Sequence, residues 1–209
     1  MLGLPKATQI NKQLPKKEIY ALFKVESDDR KLFDEQISRL SIVAEISPRT
    51  TSIPQGESVS AIYVVSVSLK TPDCDKKNLI LLSKLIDQRM VFVLEYEDRA
   101  RLAVFRAGKL FQTEPKPTGE LNIKLSGLDL GGVWERIIAQ IGEIEVSEDR
   151  TLDEQIAADD ERAKLLKKIE RLERQARNEK QPRRKLELAG EVKRLRKELE
   201  TNYMKSSPF

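Results

Sequence analysis

Apolar and polar positions along residues 1–142 switch between two periods, which is typical of a chain that mixes strands and helices. The segments 41–46 and 61–69 are rich in β-branched residues, and each is followed closely by a proline. The apolar density of segment 61–69 predicts a central strand. Two further strands flank residues 97–99 and predict a β-hairpin.

Helical spacing of apolar residues occurs before, between and after these strands. Ser27 is a candidate N-cap for the second of two N-terminal helices, because two aspartates follow it directly. Apolar residues three and four apart predict further helices over 78–87 and 133–141, whereas alternation over 121–125 predicts an edge strand. These elements predict an α+β module over residues 1–142, with a mixed or antiparallel sheet and flanking helices.

The C-terminal segment follows a heptad-like pattern. Its apolar residues recur at spacings of four and three in two short runs, with Pro182 between the runs. Proline costs about 3 kcal/mol inside a helix, so the pattern predicts a turn near 178–183. The short connection favours an antiparallel helical hairpin, a short coiled coil over residues 161–203. The predicted seam consists of Leu165, Ile169, Leu172, Leu188, Val192, Leu195 and Leu199.

Each arm of this hairpin holds only about two heptads, which is marginal for an isolated helix. We therefore expect the hairpin to dock on a partner or to pair with a partner helix. Residues 143–160 precede the hairpin, are rich in Asp and Glu, and are predicted as an acidic linker.

Charge is concentrated in the hairpin. Residues 162–197 hold 15 Lys and Arg against five Asp and Glu, whereas residues 151–161 hold five acids and no base. Such density predicts salt-dependent contact with backbone phosphates or with a protein partner; the alternative is that the charges only solvate a coiled coil. The candidate binding residues are Arg171, Arg174, Arg177, Arg183, Arg184, Lys185, Lys193 and Arg194.

Composition excludes several kinds of chemistry. The chain has no histidine and one cysteine, so it has no Ser-His-Asp triad, no Cys-His pair and no cysteine-based zinc site. We predict no cofactor and no resident metal. No secretory signal and no run of 18 apolar residues is present, which predicts a cytoplasmic protein without a membrane partner.

The order of helices and strands resembles the core order of the restriction-endonuclease-like nucleases. That resemblance implies a Mg²⁺ ion held by carboxylates next to a Glu-x-Lys strand. In this chain Lys70 follows Ser68, which occupies the position of the carboxylate, and Glu45 and Asp73 are the nearest acidic substitutes. A hydroxyl in place of the bridging acid predicts weak Mg²⁺ binding, so a nuclease or a degenerate relative is the alternative function.

Seven short motifs occur in fixed order along nearly the full chain. They lie at residues 4–6, 10–12, 15–20, 67–70, 93–98, 133–135 and 179–188. These motifs resemble those of one bacterial family, the domain of unknown function 4391 family. This resemblance implies an association with helicases and DNA methyltransferases in restriction-like, antiphage gene clusters, and it assigns no catalytic residue.

Together, the hairpin, its charge and the resemblance predict a non-catalytic accessory subunit of a bacterial nucleic-acid-processing system. The basic hairpin is expected to dock onto a larger protein, such as a helicase or a DNA methyltransferase, with additional contact to backbone phosphates. A homodimer in which hairpins of two chains pair is a further alternative.

Overall fold

The structure is a computed structural model that describes residues 2–23, 27–84, 88–146 and 150–204. The chain divides into two compact units, the sheet module Met1–Ile144 and the helical unit Glu145–Phe209. In chain order the elements are β1 Gln9–Gln13, α1 Lys16–Phe23, α2 Ser27–Gln36, β2 Ile37–Ile46, β3 Ile62–Leu69, α3 Lys76–Ser83, β4 Arg89–Tyr96, β5 Arg99–Arg106, β6 Lys109–Gln112, β7 Lys116–Pro117, α4 Leu130–Gly142, α5 Leu152–Asn178 and α6 Pro182–Met204.

The sheet is mixed. Strands β1 to β6 lie side by side in chain order, and β7 pairs with β5. Strands β3 and β4 are parallel and are joined by the crossover helix α3, whereas the other pairs of the described sheet are antiparallel. The mixed sheet with flanking helices confirms the predicted α+β class.

Strand β3 is buried on both faces, as its apolar density predicts. Val65 and Val67 lie in a core cluster with Phe33 of α2 and Leu79 of α3. Val64 alternates to the other face and is also fully buried. Helix α4 packs on β5 and β6, and its apolar stripe is buried. The two faces of the sheet therefore hold the core of the module.

The edges of the module differ from the prediction. Strand β1 was not predicted because its sequence is polar and mostly exposed, and it joins the sheet through its pairing with β2. The edge strand predicted over 121–125 is absent from this described segment. The backbone N–H of Ile123 donates instead to the carbonyl of Leu2 at 3.0 Å. The alternation there buries Leu121 and Ile123 without making a strand.

Helix α4 begins three residues earlier than the apolar pattern predicts. The Asp129 carboxylate caps it by accepting the N–H of Gly132 at 2.8 Å. A Cβ atom at Gly56 would lie 2.7 Å from the backbone nitrogen of Gly131, so only glycine lets this loop approach the helix start. Helix α3, predicted over 78–87, is observed over Lys76–Ser83. Residues 85–87 of the prediction lie outside the described residues.

The second half of the predicted acidic linker is helical. Helix α5 begins at Leu152, where Thr151 and Glu154 form a capping box through hydrogen bonds of 2.9 and 3.3 Å. Leu152 and Ile156 are buried, so this stretch carries apolar positions among its acids. The linker is therefore shorter than predicted. Residues 147–149 of it lie outside the described residues.

The C-terminal segment forms two helices that pack on each other. Residues 179–181 join α5 to α6, and Pro182 is the first residue of α6, where its missing N–H costs no helical hydrogen bond. Leu165 and Leu199, each far from the turn in sequence, belong to one apolar cluster. The two helices are therefore antiparallel, and we refer to them as the hairpin.

Candidate nucleic-acid and partner interface

The predicted seam is closed within the hairpin. Ile169, Leu172 and Leu195 are 5%, 6% and 3% exposed, and the other four predicted seam residues pack around them. Burial of these side chains supplies the stabilisation that each arm alone lacks. The seam therefore needs no outside helix, and any partner must use the outer surface of the hairpin.

Ion pairs between the two helices lie on the flanks of the seam. The guanidinium of Arg196 on α6 donates to the Glu173 carboxylate of α5 at 2.6 Å. The Lys168 amine of α5 lies 3.4 Å from the Glu191 carboxylate of α6. These acids are thereby neutralised at the flanks and do not offset the cations on the outer surfaces.

The turn of the hairpin is fixed by one glutamate. The Glu179 carboxylate accepts the backbone N–H groups of Lys180 and Gln181 at 2.8 and 3.0 Å. The Gln181 N–H, followed by that of Lys180, holds the pKa of Glu179 below its usual range. Glu179 therefore remains ionised and stabilises the turn before Pro182.

Three of the eight predicted binding residues are engaged within the hairpin. Each has a carboxylate within ion-pair distance, so its charge is partly neutralised at an exposed site. The pairs are Arg177 with Glu173 at 3.9 Å, Arg183 with Glu187 at 3.6 Å and Arg184 with Glu179 at 3.7 Å.

The other five predicted binding residues are exposed. In the described part of the helical unit, none of their side chains has an ion-pair or hydrogen-bond partner. These residues are Arg171, Arg174, Lys185, Lys193 and Arg194.

Helical spacing arranges the free cations in two stripes on different helices. Lys167, Arg171 and Arg174 are spaced by four and three residues on α5, and we call them the α5 face. Lys193, Arg194 and Lys197 lie within about one turn on α6; with Gly190 we call them the α6 face. Each stripe lies on the side of its helix away from the seam. Sequence analysis missed Lys167 and Lys197, although the four-residue spacing from Arg171 and Lys193 marks them.

Acids of α6 lie on both sides of its cationic stripe. Glu187, Glu191 and Glu198, spaced by four and seven residues, follow one flank, and Glu200, three residues after Lys197, lies on the other flank.

The residues of the predicted nuclease alternative do not come together. Ser68 and Lys70 lie at the carboxyl end of β3, and the Lys70 amine donates to the Asp34 carbonyl at 2.7 Å. Glu45 pairs in register with Tyr63 at the opposite end of the same strand. Among the described residues, no group of three His, Cys, Asp or Glu side chains is placed to hold a metal ion.

The two acidic substitutes each have a basic partner. Asp73 accepts from Arg101 at 2.9 Å. Glu45 accepts from Arg49 at 3.0 Å and from Ser47 at 2.9 Å. The Arg49 hydrogen bond, with a smaller contribution from Ser47, holds the pKa of Glu45 below its usual range. Both carboxylates are thus engaged by basic side chains, that of Asp73 by β5 and that of Glu45 by the turn after β2.

One polar contact of the sheet was missed by sequence analysis. Glu95 lies in β4 opposite Ser68 of β3. Its carboxylate accepts the Ser66 hydroxyl at 3.0 Å. This contact lies at the carboxyl ends of the two parallel strands, where open α/β sheets bind ligands. No local pattern marks it, because the parallel pairing joins residues that are far apart in sequence.

A second polar cluster joins α1, α2 and β2. The Lys16 amine donates to the Asp34 carboxylate at 2.8 Å and to the Ile37 carbonyl. The Lys16 hydrogen bond holds the pKa of Asp34 below its usual range. Burial raises the pKa of Tyr20, and the Asp34 carboxylate contributes to the same shift. The cluster links α1 to the end of α2 and the start of β2.

The single cysteine lies in surroundings that favour the neutral thiol. Burial raises the pKa of the Cys74 thiol to about 11, so the side chain is protonated at neutral pH. Of the helices described, none combines the length and the apolar character needed to cross a membrane.

The family of the chain is established by comparison. A family model described as a domain of unknown function (DUF4391) matches residues 2–199. No curated protein and no solved structure matches the chain. Because the match runs through the sheet module and most of the hairpin, both units belong to the pattern of one family. The chain is a member of the DUF4391 family.

Proposed function

We propose that the protein is a non-catalytic accessory subunit of a bacterial nucleic-acid-processing system. In this proposal the hairpin docks the chain onto a larger protein, such as a helicase or a DNA methyltransferase, in the cytoplasm. The system is restriction-like or serves antiphage defence. Contact with backbone phosphates adds to the docking.

The observation that carries the proposal is the exposed surface of the hairpin. Its seam is closed, the flanking acids Glu173 and Glu191 are paired across the two helices, and five of the predicted cationic residues have no ion-pair partner in the described chain. Exposed cations without partners attract acidic surfaces and phosphates and accelerate association.

A pull-down from the native cells tests the docking. The full chain, tagged at its N-terminus, is compared with the variant Leu172→Asp, which places a charge in the closed seam. Ala163→Asp, at an exposed position of α5, is the matched control. We expect the full chain and the control to retain a nucleic-acid enzyme identified by mass, and Leu172→Asp to lose it. Retention of the same partner by Leu172→Asp would show that the hairpin does not dock.

A nuclease is the second candidate, favoured only by the placement of Glu95 beside the carboxyl ends of β3 and β4. The test is plasmid cleavage in Mg²⁺ or Mn²⁺, with Lys70→Ala as the comparison. Metal-dependent nicking that disappears in Lys70→Ala would replace the accessory role with an enzymatic one. We expect no such nicking, because Glu45, Asp73 and Lys70 are held by other groups.

A further inference from the structure

Gly190 is an unusual residue for its position. It lies within the exposed helix α6, and a Cβ atom added there would meet nothing within 4 Å. Glycine is less favourable than alanine inside a helix, so the residue weakens α6 without relieving any contact in the chain. A helix surface without a Cβ atom does, however, let another molecule approach the backbone closely.

The cations of the α6 face surround this opening. Lys193, Arg194 and Lys197 follow Gly190 by three, four and seven residues, which places them on the same side of the helix. All three are exposed and have no ion-pair partner in the described chain. Three α6 acids lie on one flank, where Glu191 is already paired with Lys168, and Glu200 borders the other side of the face without an ion pair to any of the three cations in the described chain.

We propose that the α6 face binds the phosphate backbone of double-stranded nucleic acid. This inference deepens the proposed function and rests on it for the biological setting. Charge complementarity selects this occupant, since a row of free cations next to an open helix surface matches a row of phosphates. A second copy of the chain fits poorly, because two α6 faces would bring like charges together.

Among the residues that the structure describes, Leu186 is the one large apolar side chain exposed near this face, at 75% exposure. A single exposed leucine is ordinary on a protein surface and does not form an apolar patch. The cations therefore decide the chemistry of the occupant. Binding is expected to be independent of base sequence, because the face carries charge and no group arranged in a base-reading element.

The test measures binding of the full chain to a fluorescent DNA duplex of about 20 base pairs, roughly twice the length of α6. Fluorescence anisotropy gives the Kd at several salt concentrations between about 50 and 200 mM. The variant Lys193→Gln, Arg194→Gln, Lys197→Gln removes the α6 charges. The matched variant Lys167→Gln, Arg171→Gln, Arg174→Gln removes three charges from the α5 face.

We expect salt-dependent binding by the wild-type chain. The α6 variant should make the slope of log Kd against log salt shallower by about 2 to 3, because each phosphate contact contributes about 0.9. The α5 variant should change this slope by less than about 1. An equal or larger effect of the α5 variant would overturn the assignment to α6. An absence of binding by the wild type at low salt would overturn the proposal.

A pair of neutral variants tests the role of the open helix surface. Gly190→Leu should weaken duplex binding by about tenfold or more because the side chain holds phosphates away from the backbone, a loss equivalent to about 1.4 kcal/mol. Ala189→Leu, exposed at the adjacent position, should stay within about twofold of the wild type. Equal affinities of the two variants would remove Gly190 from the binding face.

The DNA assay and the pull-down fail independently. If the pull-down recovers a protein partner that the α6 variant loses, while the purified wild type does not bind duplex, the α6 face binds protein and the phosphate proposal is wrong. If duplex binding follows the α6 charges and no partner is recovered, the phosphate proposal stands and the docking role falls.

Discussion

The sheet module and the hairpin differ in how their charged side chains are paired. In the module, the acids of the predicted nuclease alternative have basic partners, Asp73 in Arg101 at 2.9 Å and Glu45 in Arg49 at 3.0 Å. In the hairpin, ion pairs lie at the flanks of the seam, along the helices and at the turn, whereas the cations of the outer stripes have no ion-pair partner in the described chain. The contrast teaches that charge density alone does not locate a binding surface; the absence of an internal partner does.

The two units also differ in how much apolar surface they bury. The module has an extended core around β3 and β4, whereas the hairpin has three buried seam residues with four partly buried ones around them. Small apolar cores give small stabilisation. The hairpin should therefore be the less stable unit, and the following substitutions test this difference.

The largest effect is expected for Phe92→Ala in β4. Phe92 is fully buried in the core cluster, so its truncation should lower the free energy of unfolding of the module by about 3–5 kcal/mol. The fluorescence of Trp134, the one tryptophan of the chain, follows this transition in urea. Leu128→Ala, at a residue that is 95% exposed, should shift it by less than about 0.5 kcal/mol. Equal shifts in the two variants would contradict the assigned core.

A smaller effect is expected for Leu172→Ala in the hairpin seam. The side chain is 6% exposed in a thin cluster that can partly collapse, so the loss should be near the lower end of the usual range, about 2–3 kcal/mol. Far-UV circular dichroism follows the melting of the two long helices. Leu166→Ala, at a residue 41% exposed, is the control and should have little effect. A shift of the Trp134 transition by Leu172→Ala would show that the two units unfold together.

A third test uses pH on the polar cluster of the module. Asp34 has a folded pKa below its unfolded value, chiefly because Lys16 donates to it. Its contribution is therefore fully present above the unfolded pKa and is lost as pH falls through the folded pKa. Since the Asp34 side chain is 48% exposed, Asp34→Asn should cost only about 0.5–1 kcal/mol at neutral pH. In strong acid the unfolding free energies of the two proteins should converge; a constant difference would contradict the pairing.

The sequence predicts those parts of the fold that depend on local pattern. The central position of β3, the hairpin that joins β4 to β5 and the two C-terminal helices follow from apolar spacing and from Pro182, and the structure contains all three, with the turn at residues 97–98 instead of 97–99. Strand β1 was missed because its residues carry no apolar alternation and are held by backbone pairing at an edge. The linker was drawn too long because its acids hide Leu152 and Ile156.

The excess of cations in the candidate site could be predicted from the sequence, but the cations that have no ion-pair partner could not. The excess of cations can be counted along the chain, but which of them stay free depends on which carboxylates come near after folding. Glu191 is neutralised by Lys168 and Glu173 by Arg196, each from the other helix. Such pairs join residues on different helices, so no i,i+4 rule identifies them.

Effects of about 1 kcal/mol or less, opposite in sign, are expected at two glycines that have the same open surroundings and different backbones. A Cβ atom at Gly108 or at Gly190 meets nothing within 4 Å, so space does not distinguish them. Gly108 has φ +76° in the turn between β5 and β6, where a side chain is strained, whereas Gly190 lies in α6. Gly108→Ala should lower the unfolding free energy of the module by about 1 kcal/mol. Gly190→Ala should raise that of the hairpin by about 0.5–1 kcal/mol.

Opposite signs in these two variants would show that Gly190 is not kept for the stability of the hairpin. The module transition is read from Trp134 fluorescence and the hairpin transition from circular dichroism. If Gly190→Ala also destabilises, the residue has a structural role within α6, and its value as a mark of the binding face disappears. If Gly190→Ala stabilises the hairpin, glycine lowers the stability of α6 although no contact in the described chain requires it. This is the condition expected of a surface shaped for another molecule.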